Sequence, residues 1–476
     1  MNPDANRSLF ARHALLPTGW ARDVLLAWDD AGRLTGVRPD KMPTPEVPRA
    51  AGALIPGMPN LHSHAFQRAF AGLSEHRGTG AGPSSDSFWT WRDLMYRFAL
   101  AISPDQLEAI ATHLYIEMLQ AGYTSVCEFH YLHHAPDGRP YADRAEMSLR
   151  LIAAAQRAGI GITLLPVLYQ QAGFGEPAAR ADQRRFVNSV DALLDIVERA
   201  RVQGTRRAAP VDAIGDVRVG VAPHSLRAVG PRALQQLVAG VHAIDANAPI
   251  HIHVAEQQQE VQDCIAWSGQ RPVAWLLANA NVDARWCLVH ATHMLDAELR
   301  GVAASGAVAG LCPSTEANLG DGVFDAVAYA AADGAWGIGS DSHAGVGAAE
   351  ELRLLEYTQR LAVQRRNVLS SDAHPQVADH LWLLAVSGGA RASGRAIAGL
   401  AIGEQADFVV LDDSGALAGL APSQMLSSHL FASHGRNAVR EVWVAGRQRI
   451  GDGAHAFGRN ACERFVAARS QLLDEV

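Results

Sequence analysis

The sequence predicts an α/β chain: a (β/α)8, or TIM, barrel over residues 56–398, with a small β-sandwich domain built from both chain ends, residues 1–55 and 399–476. Three observations carry that expectation. Eight short apolar runs alternate with helix-like stretches between residues 53 and 375. Strand-like segments return at both ends of the chain. Four of the apolar runs stop at a side chain of metal-ligand type, as strands opening on one barrel mouth would. Alternation alone suits an open doubly wound sheet equally well, so the sites must decide.

Taken in order, residues 23–39 (DVLLAWDDAGRLTGVRP) set apolar pairs on either side of an Asp-Asp-Ala-Gly turn. The expected inner strands end near Met58, Phe129, Leu168, Ala222, Val254, His290, Cys312 and Ser340. Residues 71–87 are rich in Gly, Ser and Pro and read as a loop beside the first of them. The clearest helix starts at Ser103, with Pro104 in its first turn and Gln106 at the capping-box position. Leu107, Ile110, Leu114 and Met118 form its apolar face, and Gly122 ends it. A long helix-like stretch covers 376–398. AIGEQADFVVLDDSG and VREVWVAGRQRI then return to strand character, and a helix from Arg459 to Leu473 closes the chain.

Composition narrows the function classes. The 476 residues are 48% hydrophobic and 19% charged, with a formal net charge of -8 and no basic run. Nucleic acid and an anionic membrane are therefore not expected partners. No stretch approaches the 18 or so uninterrupted apolar residues of a membrane span. The 5 cysteines include no CxxC pair, which suits a reducing, cytoplasmic setting better than a disulfide framework. Lys41 is the only lysine, so neither a lysine Schiff base nor a carboxylated lysine bridging two metals is available among the later motifs.

The chemistry-bearing motifs lie at the strand ends. His62 and His64 sit at i and i+2 in PGMPNLHSH, on one face of a strand and roughly 6.6 Å apart along it, within reach of a common ion. Alone, such a pair is more readily two polar residues on a surface strand. The rest of the chain shifts that balance. PIHIHVAE offers His253 with Glu256 three residues on, CLVH ends in His290, and WGIGSD ends in Asp341. In a barrel these six side chains converge at the mouth. His251 lies one layer deeper and reads as a hydrogen-bonded core histidine. His130, His133, His134 and His293 read as loop or supporting residues, and Cys127 and Cys312 as small core residues.

These motifs resemble the amidohydrolase superfamily over the whole chain: PGMPNLHSH, HVAE, LVHATH, GSDSHA and the flanking GEQADFVVLD strand. HSHAFQRAFAGL, FWTWRDLMYRF, AGYTSVCEFHYLHH and APHSLRAV resemble, more narrowly, its formimidoylglutamate deiminase family. The resemblance implies hydrolytic deamination of N-formimino-L-glutamate to N-formyl-L-glutamate and ammonia, in histidine degradation. It implies one divalent metal, zinc above others, held by His62, His64, His253 and Asp341. That nitrogen-rich, thiolate-free set leaves a position for water. Asp341 would take a proton from that water, Glu256 would hold the imino nitrogen and ferry a proton to it, and His290 would steady the tetrahedral intermediate. The resemblance also carries Gln67, Arg92, Tyr131, His224 and Arg227 onto the substrate, a small dianion whose carboxylates suit arginine forks. A homodimer is implied in the same way. The nearest alternative is another deaminase or cyclic-amide hydrolase of the superfamily, such as an aromatic-base deaminase or an imidazolonepropionase-like enzyme. Ring substrates need stacking surfaces and few carboxylate readers, so the arginines weigh against it.

Overall fold

A computed structural model describes residues 7–75, 88–175, 177–207, 217–432 and 438–476. The Gly- and Ser-rich loop expected at 71–87 lies, from 76 onward, outside the described residues.

The N-terminal strands are β1 (Ser8–Leu16), β2 (Gly19–Trp28), β3 (Leu34–Arg38) and β4 (Leu54–Pro56). Parallel strands follow: β5 (Met58–Ser63), β6 (Tyr123–His130), β7 (Gly161–Leu168), β8 (Arg218–Val219), β9 (Ala222–Pro223), β10 (Ile250–Val254), β11 (Trp286–His290), β12 (Val308–Leu311) and β13 (Ala335–Ile338). Four more close the list: β14 (Phe408–Leu411), β15 (Val439–Val444), β16 (Arg447–Gly451) and β17 (Ala454–His455).

Strands from both chain ends share one sheet, ordered β17-β16-β15-β14-β4-β1-β2-β3. Antiparallel pairing of β14 with β4, Val409 opposite Ile55, joins the two termini. The expected Asp-Asp-Ala-Gly turn joins β2 to β3, with Gly32 at a φ of 76°. The inner strands form two parallel sheets, β5-β6-β7-β8 with β9 beside β7, and β10-β11-β12-β13. Isolated parallel bridges lie at both seams between these sheets: Val221 to Ile250, Ser225 to His253, and Ser63 to Asp341. Most of these strand residues are buried, as in parallel sheets covered by helices on their faces.

Local signals explain the helices. Over Pro104–Gln120 the Ser103 side chain accepts from the Gln106 N–H while Gln106 reaches back to the Ser103 N–H, completing the capping box. Helix Val377–Ser393 crosses β5 and β13 on Gly388 and Gly389. A Cβ at Gly389 would come within 2.7 Å of the Pro59 Cβ, so only glycine permits this approach. Two details differ from expectation. The first inner strand runs to Ser63 rather than ending near Met58, because the Asp341 N–H donates to the His62 carbonyl (3.0 Å) and the His64 N–H to the Asp341 carbonyl (3.2 Å). The fourth is broken into β8 and β9 where Gly220 passes against the Pro249 backbone.

Candidate metal centre and active-site cleft

The backbone pairing between β5 and the residues after β13 sets His62 and His64 beside Asp341. Asn60 reinforces it, donating to Ser340 Oγ (2.7 Å) and accepting from the Ser340 N–H (3.1 Å). At the other seam the His253 N–H donates to the His224 carbonyl (3.0 Å). The Nε2 atoms of His62 and His64 are 3.2 Å apart, and those of His253 and His62 3.0 Å. Asp341 Oδ1 lies 3.5 Å from His62 Nε2 and 3.3 Å from His64 Nε2.

The tautomers follow from the outer nitrogens. His64 Nδ1 donates to the Phe129 carbonyl (2.8 Å) and His253 Nδ1 to the His224 carbonyl (3.2 Å). Their Nε2 lone pairs therefore face inward. Burial holds all three imidazoles below their ordinary range, His64 down to about 3, so they are neutral. Converging lone pairs beside a buried carboxylate repel one another unless a cation lies among them. Three nitrogens and an oxygen suit a divalent ion of the zinc type.

Next to this cluster stands His290. Its Nε2 is 3.6 Å from Asp341 Oδ2 and 3.7 Å from Glu256 Oε1, and its Nδ1 is 3.3 Å from Glu316 Oε1. Burial alone would lower the imidazole, but Glu256, Glu316 and Asp341 outweigh it and push it up to about 10. Burial pushes the Asp341 carboxyl up to about 7. The backbone here is strained: Ala255, His290, Ala291, Asp341 and His343 have φ of 52°, 64°, 49°, 45° and 59°. Left-handed non-glycine residues of this kind gather at functional sites, where surrounding structure must hold them.

The cluster opens into a cleft of about 590 Å3, its mouth included, a size for a small molecule. Gln67, Arg92, Tyr131, His224 and Arg227 all line it, together with His64, His253, Glu256, His290 and Asp341. His62 lies behind them. Gln67 donates to the Tyr131 hydroxyl (2.9 Å), while its Oε1 is buried without a hydrogen-bond partner. Arg92 passes over the Tyr96 ring at 5.5 Å, and burial lowers its pKa. Arg227 sits 3.7 Å from Glu256 Oε2 and 3.8 Å from Glu260 Oε2. Burial disfavours its charge, yet those two carboxylates raise its pKa overall.

Other histidines serve the framework: His251 donates to the Ala392 carbonyl (2.8 Å), His133 to Val167 (2.9 Å), His134 to Val187 (2.9 Å) and His293 to Asp321 (2.8 Å). Burial pushes the Cys127 thiol up to about 12. Sequence reasoning missed Tyr96 and Tyr169 in the cleft wall, and Glu260, Glu316 and Asp321 beneath it. The polar run STEANLGD straight after a buried strand was the available signal for the last two. Among the described residues, His290, Cys312 and Glu316 form a second cluster of ligand-type atoms, but burial keeps the Cys312 thiol protonated.

Fold and site together define a hydrolase: the chain belongs to the amidohydrolase family, whose model, described as "Amidohydrolase family", matches residues 53–449. A second model, "Formimidoylglutamate deiminase HutF, N-terminal domain", matches residues 6–49. A formimidoylglutamate deiminase of Pseudomonas aeruginosa is 52% identical over 468 residues, covering 98% of this chain and 100% of that protein. The crystal structure of an amidohydrolase from Brucella melitensis, 47% identical, superposes with a TM-score of 0.91 over 98% of this chain and 100% of that one. An adenosine deaminase from Xanthomonas campestris, solved with bound zinc, shares the fold at a TM-score of 0.77 and 23% identity, covering 98% of this chain and 97% of that one. No helix among the described residues is long and apolar enough to cross a membrane.

Proposed function

We propose that the chain hydrolyses N-formimino-L-glutamate to N-formyl-L-glutamate and ammonia, a step of histidine degradation. One observation carries the reading: two arginines, Arg92 and Arg227, share a small cleft with Glu256, His290 and the imidazole cluster. A linear dianion with an amidine-like end fits that combination. The identity to a named formimidoylglutamate deiminase supports the same substrate.

His62, His64, His253 and Asp341 would hold one divalent ion, zinc by donor type, which supplies Lewis acidity and lowers the pKa of a water toward about 7. Every other part belongs to the chain. Arg227 and Arg92 bind the two carboxylates, and Gln67, Tyr131 and His224 orient the formimino group between them and the cluster. Asp341 accepts a proton from the attacking water. Water adds to the formimino carbon, and His290 Nε2 donates a hydrogen bond to the developing oxyanion. Glu256 holds the imino nitrogen and delivers the proton to it, so that the C–N bond breaks and ammonia leaves.

Three further points of architecture belong to this reading. The two parallel sheets close into one (β/α)8 barrel, supported by the bridges at both seams. The terminal sheet folds over on itself as a sandwich, supported by an apolar cluster that joins Leu9, Val24, Leu34, Leu54 and Phe408 from its own strands. The domain division is 1–55 with 399–476 against 56–398. A homodimer rests on the family resemblance, and a cytoplasmic location on the cysteine content of the sequence.

The test is ammonia and N-formyl-L-glutamate release by the zinc-loaded protein, with guanine run alongside. Release from the formimino compound alone is expected. Release from guanine alone, or none from protein shown to contain its metal, overturns the substrate assignment.

A further inference from the structure

We infer that Glu316 is a positioning residue for the reaction, setting the orientation and tautomer of His290 through a single carboxylate oxygen. The inference rests on the proposed role of His290 and adds a residue that no sequence motif singled out.

Glu316 lies in the short helix Pro313–Leu319, which follows the end of β12. It is buried, and a buried carboxylate requires donors. Its Oε1 has two. The Cys312 N–H donates at 2.9 Å and fixes the carboxylate relative to β12; His290 Nδ1 lies 3.3 Å away. Oε1 is the acceptor of the Cys312 N–H and faces Nδ1 with its second lone pair, so Nδ1 is the ring nitrogen that donates. The other ring nitrogen then faces the cleft, at 3.6 Å from Asp341 Oδ2 and 3.7 Å from Glu256 Oε1. Both distances exceed a hydrogen bond and leave Nε2 directed at the space where substrate reacts.

His290 needs such an anchor. It is the last residue of β11, paired with Val254, and its φ of 64° and that of Ala291, 49°, turn the chain away from the strand just beyond it, so the ladder holds the side chain from one side only. Glu316 also ties in a third strand end. Its backbone carbonyl accepts the Asp321 N–H at 2.9 Å, and the Asp321 carboxylate takes the Gln257 side-chain amide, next to Glu256. The ends of β10, β11 and β12 thus meet through this one residue. The competing use of the same atoms, a second metal bound by His290, Cys312 and Glu316, is disfavoured by the protonated thiol and by the two donors already on Oε1.

The experiment compares Glu316→Gln, which keeps an acceptor oxygen, with Glu316→Met, which does not. For N-formimino-L-glutamate, Glu316→Met should lower kcat by about 10- to 100-fold, the usual cost of losing a residue that orients a catalytic imidazole, with KM and bound metal unchanged. Glu316→Gln should retain most of the turnover. Equal kcat in Glu316→Met and wild type, equal losses in both variants, or loss of a second bound metal in Glu316→Met would each overturn the inference. A further readout needs no turnover and no Glu316 variant: 15N NMR of histidine-labelled wild-type protein, with the His290 signals assigned by their loss in folded His290→Gln. A protonated Nδ1 is expected; a bare Nδ1 overturns the inference. If the wild type proves inactive on N-formimino-L-glutamate, the substrate reading fails, while the state of Nδ1 still decides the role of Glu316.

Discussion

The mouth of the parallel strands and the terminal sheet treat burial in opposite ways. In the terminal sheet, Phe408 stacks on Trp443 at 5.4 Å and packs beside Trp28 at 6.0 Å, over a floor of Leu9, Val24, Leu26 and Leu34. Those contacts gain from removing apolar area from water and leave few charges inside. At the mouth, Glu256, Glu260, Glu316 and Asp341 are buried around Arg227 and five histidines, beside strand ends where Ala255, His290, Ala291 and Asp341 have left-handed backbone. Charges and strain of that kind cost stability and persist only where the surroundings hold them in place. The terminal sheet is thus held by apolar packing, while the chemistry is concentrated at the strand ends of the mouth.

That contrast can be broken most severely at Glu256. Glu256→Gln keeps the shape of the side chain and removes its ability to carry a proton. Turnover should fall by about a hundred- to ten-thousand-fold, with metal content and substrate affinity retained. Normal turnover in that variant would remove the proton-transfer role. Arg227→Ala comes next. It removes a carboxylate reader and should raise KM by about 10- to 100-fold, the worth of one charged hydrogen-bonded contact. An unchanged KM would take Arg227 out of the substrate site.

The terminal sheet should answer in the other currency. Phe408→Ala should cost about 3–5 kcal/mol in denaturant unfolding and leave kcat and KM at 25 °C unaltered. A large change in KM there would mean that the two regions are not separate in function. The last effect concerns pH and is small per pH unit. Burial pushes the Glu351 carboxyl up to about 8, although the Ser314 N–H and hydroxyl bond to it at 2.9 and 2.5 Å; Glu316 and Glu350 add to the rise. In the fold this acid keeps its proton to higher pH than in the unfolded chain. Its contribution is full below the unfolded value and is lost as pH rises through about 8. Stability should therefore decline between about pH 5 and 8, by at most about 1.4 kcal/mol per pH unit. Glu351→Gln should flatten that decline, as urea titrations at several pH values would reveal.

Much of the mouth was legible because each parallel strand ends where its chemistry begins. His62 and His64, His253 with Glu256, His290 and Asp341 all stand at the close of apolar runs, and the structure brings them within one cluster and cleft. The capped helix at Ser103 and the glycine-ended turns were legible for the same reason: local chemistry dictates them. Glu316 and Asp321 were not. They come from a short helix and the turn beyond it, where no periodicity marks a buried face, and their partners are 26 and 64 residues away in sequence. Tyr96 and Tyr169 sit on elements that also pack as ordinary core, so an aromatic in the cleft wall looks like any other from its spacing. The true end of the first inner strand was hidden too, since it depends on backbone pairing with Asp341, which no local pattern reports.

The central claim is that arginines at the mouth read two carboxylates while the histidine and glutamate groups beside them do the chemistry. The most direct measurement is kcat/KM for N-formimino-L-glutamate against N-formimino-L-glutamine, in which one carboxylate is replaced by an uncharged amide. The account predicts a fall of about 10- to 100-fold for the amide, the cost of one charged hydrogen-bonded contact. Equal values for the two compounds would contradict it.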